Sequence, residues 1–398
     1  MGKKHKPRSG SLAFYPRKRA KREMPSFKSF PDIKTDSVKA LNFLGYKAGM
    51  LHLVALSEHE KATSYGQEIA VPVTAIECPI LKVYGVRAYG KTNEGLKAIS
   101  EITVDKVDKH FRRKVTAFKK KHKKKGEKEE KEKKVEEIKP GLEDLEKKKD
   151  EIAEIRLLVH TQPALTTIGK KKPELTEVKL SGNPEQQLAY AKEKLGNEIK
   201  VSEVFKEKQF VDVKAVDKGK GFAGVVKRFG VKMHRPKAKK RRVVGSIGPW
   251  KPATVMWTVA RPGQLGYQTR TEYNKRIIKI SNDSEIINPT AGFKNYGVIK
   301  NEYLLLTGSV PGPAKRAIAI REPVRPSPGE KFHIAEPIFI STAPSKKRKE
   351  LGEVAVEEEK KPKKVVAVKE EAKKEEKSVE DEIKAAVEGK KEKREKKK

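Results

Sequence analysis

Cysteine is nearly absent: Cys78 is the only one in 398 residues. It cannot form an internal disulfide, and its solitude rules out a thiolate zinc cluster. Its neighbours, IECPI, read as a strand, so a buried thiol is expected there. No run of 18 apolar residues occurs, which excludes a bilayer-spanning helix. The opening MGKKHK lacks the apolar core of a secretory signal. Lys6 stands where a myristoylation signal needs Ser or Thr. These absences predict a cytoplasmic protein. Apolar residues make up 36%, below the roughly 45–50% of globular chains, a figure that also counts Gly. Part of the chain can therefore build a core and part cannot.

Catalytic constellations are also missing. The eight histidines, at 5, 52, 59, 110, 122, 160, 234 and 333, are scattered, and none stands at a metal-ligand spacing from another. No catalytic residue, metal or cofactor is expected, and the chain is not predicted to be an enzyme. Two phosphate-loop patterns do occur. GVRAYGKT (85–92) fits the nucleotide-binding loop, which uses Lys91 on phosphates and Thr92 on magnesium. Its interior continues a strand pattern, and no apolar run ending in Asp follows to supply a second magnesium ligand. GKGFAG (219–224) fits the dinucleotide pattern, yet the acidic residue that site needs about 20 positions on is absent. Both are expected to be coincidences.

The most informative absence is of one charge sign. From Lys218 to Thr271 there is no Asp or Glu in 54 residues, which carry 14 Lys/Arg. The whole chain has 92 Lys+Arg against 54 Asp+Glu, a net charge of +38. Such a charge repels itself and favours an anionic partner. Solvated charged faces usually mix signs. A long one-sign stretch fits burial among phosphates, where each cation releases condensed counterions. An acid there would be expensive to desolvate.

Glycines and aromatics share this window. Gly245 and Gly248 follow the run KAKKRR (237–242) and lead through Pro249 into Trp250. Phe222, Phe229, Trp250, Trp257 and Tyr267 offer rings on which unstacked RNA bases can stack. Flanking glycines, prolines and cations argue against a core role for Trp250. Trp257, in ATVMWTV, alternates like a strand, which leaves a core role and an RNA role both open. The predicted RNA contacts begin with Lys218, Lys220, Phe222, Lys227 and Arg228. They continue through Lys232, His234, Arg235, Lys237, Lys239, Lys240, Arg241 and Arg242. Beyond the basic run come Trp250, Lys251, Trp257, Arg261, Gln264, Tyr267 and Arg270. A second set lies in the basic N-terminal segment: Lys3, Lys4, Arg8, Arg17, Lys18, Arg19, Lys21 and Arg22.

The chain divides by texture. Residues 1–36 are a basic extension with little periodicity. Residues 37–104 and 205–343 hold short β-rich runs broken by Gly and Pro, among them 41–56, 69–90 and 296–312, which point to a barrel or sandwich. The basic finger, 218–271, lies in the second of these parts. Between them, 105–204 reads as a mostly helical insertion. It contains the charged stretch 118–137, then Leu142, Leu145, Ile152 and Ile155 at helix-like spacing, then NPEQQLAYAKEKLG (183–196) with Pro and Gly as helix limits. Residues 344–398 carry 20 Lys/Arg, 15 Asp/Glu and no aromatic, so a solvated tail is expected.

GKGFAGVVKRFG and SIGPWKPATVMWTVARPGQLGYQTRTEYNKRI resemble the universal large-subunit ribosomal protein three family, and HKPRSGSLAFYPRKRA resembles its archaeal and eukaryotic branch. The resemblance covers residues 1–343. It implies a mainly β fold with an α+β insertion: a closed six-stranded β-barrel of the translation-protein type, decorated by a helical insertion. It further implies a long finger and an N-terminal extension that reach through ribosomal RNA toward the peptidyl transferase centre. Trp250 would then sit near the finger tip, with Lys237 to Arg242 as the basic stem. The implied role is structural: direct binding of large-subunit ribosomal RNA, early subunit assembly and support of the aminoacyl-tRNA path. The implied partners are that RNA and neighbouring large-subunit proteins, with no membrane and no small-molecule substrate. Two other readings stay open at this point, a general nucleic-acid-compacting protein and a nucleotide-hydrolysing P-loop protein.

Overall fold

The computed structural model describes residues 11–33, 37–59, 61–104, 107–116, 145, 149–326 and 334–341. The predicted contacts Lys3, Lys4 and Arg8, the charged stretch 118–137 and the tail 344–398 lie outside them. In chain order the strands are β1 (Asn42–Ser57), β2 (Glu68–Glu77), β3 (Leu81–Thr92), β4 (Gly95–Thr103), β5 (Glu154–His160), β6 (Leu175–Lys179) and β7 (Glu198–Ile199). Then follow β8 (Phe210–Val216), β9 (Phe222–Ala223), β10 (Gly263–Gln264), β11 (Thr269–Ser281), β12 (Tyr303–Thr307), β13 (Ala317–Arg321) and β14 (Ile334–Ser341). The α-helices are short: α1 (Pro184–Lys194), α2 (Val201–Val204), α3 (Val225–Phe229) and α4 (Ser284–Ile287). No helix among the described residues is long and apolar enough to cross a membrane.

Six strands form a cycle of antiparallel pairings. β1 pairs with β2, β2 with β12, β12 with β11, β11 with β8 and β8 with β13, and β13 pairs back with β1 through Asn42 opposite Arg321. β14 adds to the far half of β1. The sequence of β12, YLLLT, shows why the runs are continuously apolar. Side chains alternate across a strand. Leu304 and Leu306 enter one buried cluster, with Val211, Val213, Ile277 and Ile318. Tyr303 and Leu305 enter another, with Leu53, Val73, Ile278 and Phe293. A strand buried on both faces needs apolar residues at every position. Gly45 serves close packing between β1 and β2: a Cβ there would lie 2.5 Å from Ile76 Cγ2 and 2.9 Å from Cys78 Sγ. Cys78 is buried as expected, and burial pushes its thiol well above the usual range.

A second sheet runs β4-β3-β5-β6, with β7 beside β3. It makes the described part of 105–204 a mixed α and β segment, as an α+β insertion requires, rather than a mostly helical one. The described part of 105–204 contributes three strands, and β5 and β7 pair with β3 from before that block. Ile152 and Ile155 do not share a helix. A 3₁₀ turn covers Lys149–Glu151, and Ile155 is the second residue of β5, opposite Ala88. The run EIRLLVH is buried nearly throughout and is better served by strand pairing on both sides than by one helical face. The helix expected over 183–196 is present as α1, with Pro184 at its first position and the Asn183 N–H donating to Gln186 Oε1 (3.4 Å). GVRAYGKT lies inside β3. Gly85, Val86, Arg87 and Ala88 stand between β4 and β5, so the segment is ladder and not a phosphate loop.

Candidate nucleic-acid interface

The N-terminal extension is held to the strand cycle by a buried ion pair. Asp212 on β8 is fully buried and accepts from Arg321 Nη2 (2.9 Å) and Nε (3.2 Å) on β13. It also accepts the Asn274 N–H (3.1 Å) and the Val324 N–H (3.2 Å), so the buried carboxylate is well satisfied. Arg321 has donors to spare. Its Nη1 donates to the Ser29 carbonyl, and its guanidinium lies 4.5 Å from the Phe27 ring centre. Lys214 Nζ donates to the Ser26 carbonyl (2.7 Å). The Ala20 N–H donates to the Tyr267 carbonyl (2.8 Å), which places the extension beside the base of the finger.

The finger leaves the body between β8 and β11. Its base is a short ladder, β9 against β10, with Ala223 opposite Gly263 and Phe222 opposite Gln264. Gly266 must be glycine here. Its φ is +73°, and a Cβ would stand 2.1 Å from the Lys218 carbonyl. Arg228 clamps the base: Nε donates to Gln264 O (3.0 Å), Nη1 to Arg261 O (2.8 Å) and Nη2 to Arg17 O (3.4 Å). Arg17 Nη1 returns a bond to Arg228 O (2.8 Å), and its guanidinium lies 4.2 Å from the Phe229 ring centre. Tyr15 stacks on Phe229 at 6.2 Å and meets Trp257 edge-on at 5.6 Å. Burial, and then the Arg17 charge, lowers the Arg228 guanidinium from its ordinary value.

Beyond this base almost everything faces outward. From Val231 to Trp257 only Val231, Ala238 and Val244 are not exposed. The chain turns where the His234 N–H donates to the Arg241 carbonyl (3.1 Å). Lys232, His234, Arg235, Lys237, Lys239, Lys240, Arg241, Arg242 and Lys251 are exposed, as are Lys218, Lys220, Lys227 and Arg261 nearer the base. Among the described residues the finger's ion pair is Arg270 Nε with Asp217 (3.4 Å), at the base. In the extension Lys18, Arg19, Lys21 and Arg22 are exposed. Trp250 is 91% exposed and Phe222 80%. Arg17, Arg228, Gln264, Tyr267 and Arg270 are half-buried in the contacts that shape the base.

Of the two roles left open for Trp257, the structure does not bear out the core role. Trp257 lies in a turn, 67% exposed, and belongs to neither buried cluster. ATVMWTV has strand-like alternation but no partner strand runs beside it. The structure also shows what the sequence reading missed. Tyr15 joins the extension to the finger, while Asp212, Lys214 and Arg321 anchor the extension from outside the acid-free window. The one sequence signal was the abrupt flank of that window, Asp217 on one side and Glu272 on the other. Extension and finger walls border a crevice of about 930 Å³, lined by Tyr15, Arg17, Lys18, Arg228, Phe229 and Arg270 among others and, among the described residues, by no carboxylate. Among the described residues no group of three or more His, Cys, Asp or Glu is placed to hold a metal ion.

A two-sheet β body thus carries an acid-free finger with exposed aromatics and a basic extension beside it. The sequence pattern of the family described as Ribosomal protein L3 matches residues 1–347, and the chain belongs to that family. It is 45% identical over 333 residues to the protein named Large ribosomal subunit protein uL3 of Methanobrevibacter smithii, covering 82% of this chain and 94% of that one. Its identity to the protein of the same name in Methanocaldococcus jannaschii is 45% over 343 residues, covering 85% and 97%. To that of Archaeoglobus fulgidus it is 44% over 344 residues, covering 85% and 98%.

Proposed function

We propose that this chain is a structural, non-enzymatic constituent of the large ribosomal subunit and resides in cytoplasmic ribosomes. It binds large-subunit ribosomal RNA directly through the finger and the extension. It nucleates early subunit assembly and supports the peptidyl transferase centre from the finger tip around Trp250, beside neighbouring large-subunit proteins. The cycle of six strands serves as the closed barrel that carries both projections. One observation carries the reading: 14 cations and no acid in residues 218–271, nearly all of them turned outward beyond the base. An isolated surface of that kind repels itself, and ribosomal RNA is the polyanion that the family relationship supplies.

The test is binding of the full chain to a large-subunit RNA transcript, with duplex DNA as competitor, across a salt series. With six to ten phosphates neutralised, affinity should fall by roughly 10³- to 10⁵-fold between 50 and 200 mM salt. The RNA should win against the DNA. A nearly flat salt curve would sink the electrostatic reading, and equal affinity for the two polymers would favour a general compacting protein.

A further inference from the structure

Phe222 is one of the most exposed aromatic side chains in the protein, and it stands on a rigid mount. Its backbone is paired with Gln264 in the β9–β10 ladder. Its neighbour Ala223 points the other way and is buried, as alternation across a strand requires. The opposite side of the ladder is clamped by Arg228 on Gln264 O and Arg261 O. The Leu265 N–H donates to Gly221 O (2.9 Å) and the Lys220 N–H to Leu265 O (2.9 Å), which closes the ladder's end. The ring therefore projects 80% exposed from backbone that is bonded on its partner side. Burying it would gain the free protein apolar contact, and nothing in the body covers it.

What surrounds the ring decides what it fits. A concavity of about 290 Å³ opens beside it, walled by Lys220, Lys227 and Arg242 together with Ala223 and Val225. Among the described residues no carboxylate lines it. An apolar protein partner would have to desolvate three cations without compensation. An unpaired nucleotide meets every requirement at once: a flat base for the ring and a phosphodiester for the cations. The concavity is near the lower end of the range that accommodates a small organic ligand, roughly 300–1,000 Å³.

We infer that Phe222 is a stacking platform for a single unpaired RNA base, whose flanking phosphates are held by Lys220, Lys227 and Arg242. The site is at the root of the finger, apart from the tip at Trp250. It rests on the RNA-binding reading above and adds to it a specific subsite.

The experiment compares the full chain with Phe222→Ala, Phe222→Trp and Lys220→Gln on a large-subunit RNA transcript, by affinity across salt and by chemical probing of the bases. Phe222→Ala should weaken binding roughly 5- to 150-fold with an unchanged salt slope. One unpaired base should become reactive. Phe222→Trp should restore both affinity and protection. Lys220→Gln should lower the salt slope by about one. Unchanged thermal midpoints would confirm that all variants are folded. If Phe222→Ala binds within twofold of the unsubstituted chain and exposes no base, the platform is refuted while the RNA reading stands. If that variant binds RNA normally but fails to enter subunits, the ring serves a protein contact and the inference falls. If the unsubstituted chain does not bind the transcript, both readings fail together.

Discussion

At the scale of single residues, exposure separates side chains that hold the protein together from those that take no part in its cores. Trp250 and Trp257 are the two tryptophans, the residue type with the most apolar surface to bury. They are 91% and 67% exposed, far outside both cores. Replacing Trp250 by Ala should change the free protein's unfolding free energy by no more than about 0.5 kcal/mol. Trp257→Ala should cost little more, since it gives up one edge contact with Tyr15 at 5.6 Å. Chemical denaturation of the two variants checks this. A loss of several kcal/mol at either position would mean that the finger packs against the body in solution. Tyr46 and Tyr303 are the contrast: both are fully buried, and burial raises both phenol pKa values above the ordinary tyrosine range.

At the scale of elements, the finger's base behaves as a joint built from backbone carbonyls and one guanidinium. Arg228 reaches three carbonyls from three segments: the extension at Arg17, the finger's return at Arg261 and β10 at Gln264. A planar fork of donors can span such a set, and a lysine ammonium on a flexible stem cannot hold it in one geometry. Arg228→Lys should therefore leave the strand cycle intact yet loosen the ladder. Amide hydrogen exchange gives the readout. The Lys220 and Leu265 amides, which close the ladder, should lose protection by at least tenfold, while amides of β1 and β12 should keep theirs. Equal protection of the Lys220 and Leu265 amides in variant and parent would show that the β9–β10 ladder is stable without the clamp. The same joint couples the extension to the finger, because Arg17 both donates to Arg228 and covers the Phe229 ring.

At the scale of the whole molecule, the two cores close without the Lys/Glu-rich tail. The last strand described, β14, ends at Ser341, and both buried clusters are complete by Ile340 among the described residues. Deleting residues 346–398 should leave the unfolding free energy of the body within about 0.5 kcal/mol, because no apolar cluster of these cores is lost. A thermal melt of the truncated chain checks it, and a clearly lower midpoint would show that the tail contributes to the body.

The sequence by itself determined the charge of the finger and the texture of the body. Charge needs no folding to be read, so the acid-free window named the finger directly. The runs in β1, β2 and β12 were legible because a strand buried on both faces must be apolar at successive positions. The limits of α1 were legible because Pro and Gly act locally. Tertiary structure decided what depends on distant neighbours. Ile152 and Ile155 have helical spacing, but β3 offers Ile155 a ladder, and pairing outweighs a weak helical preference. Trp257 alternates like a strand residue but has no strand to pair with. The order of the strand cycle was invisible, since β1 meets β13 from near the other end of the described chain. The anchors Asp212 and Arg321 were invisible for the same reason. Local chemistry is written along the chain, whereas a contact between remote segments exists only once the backbone has closed on itself.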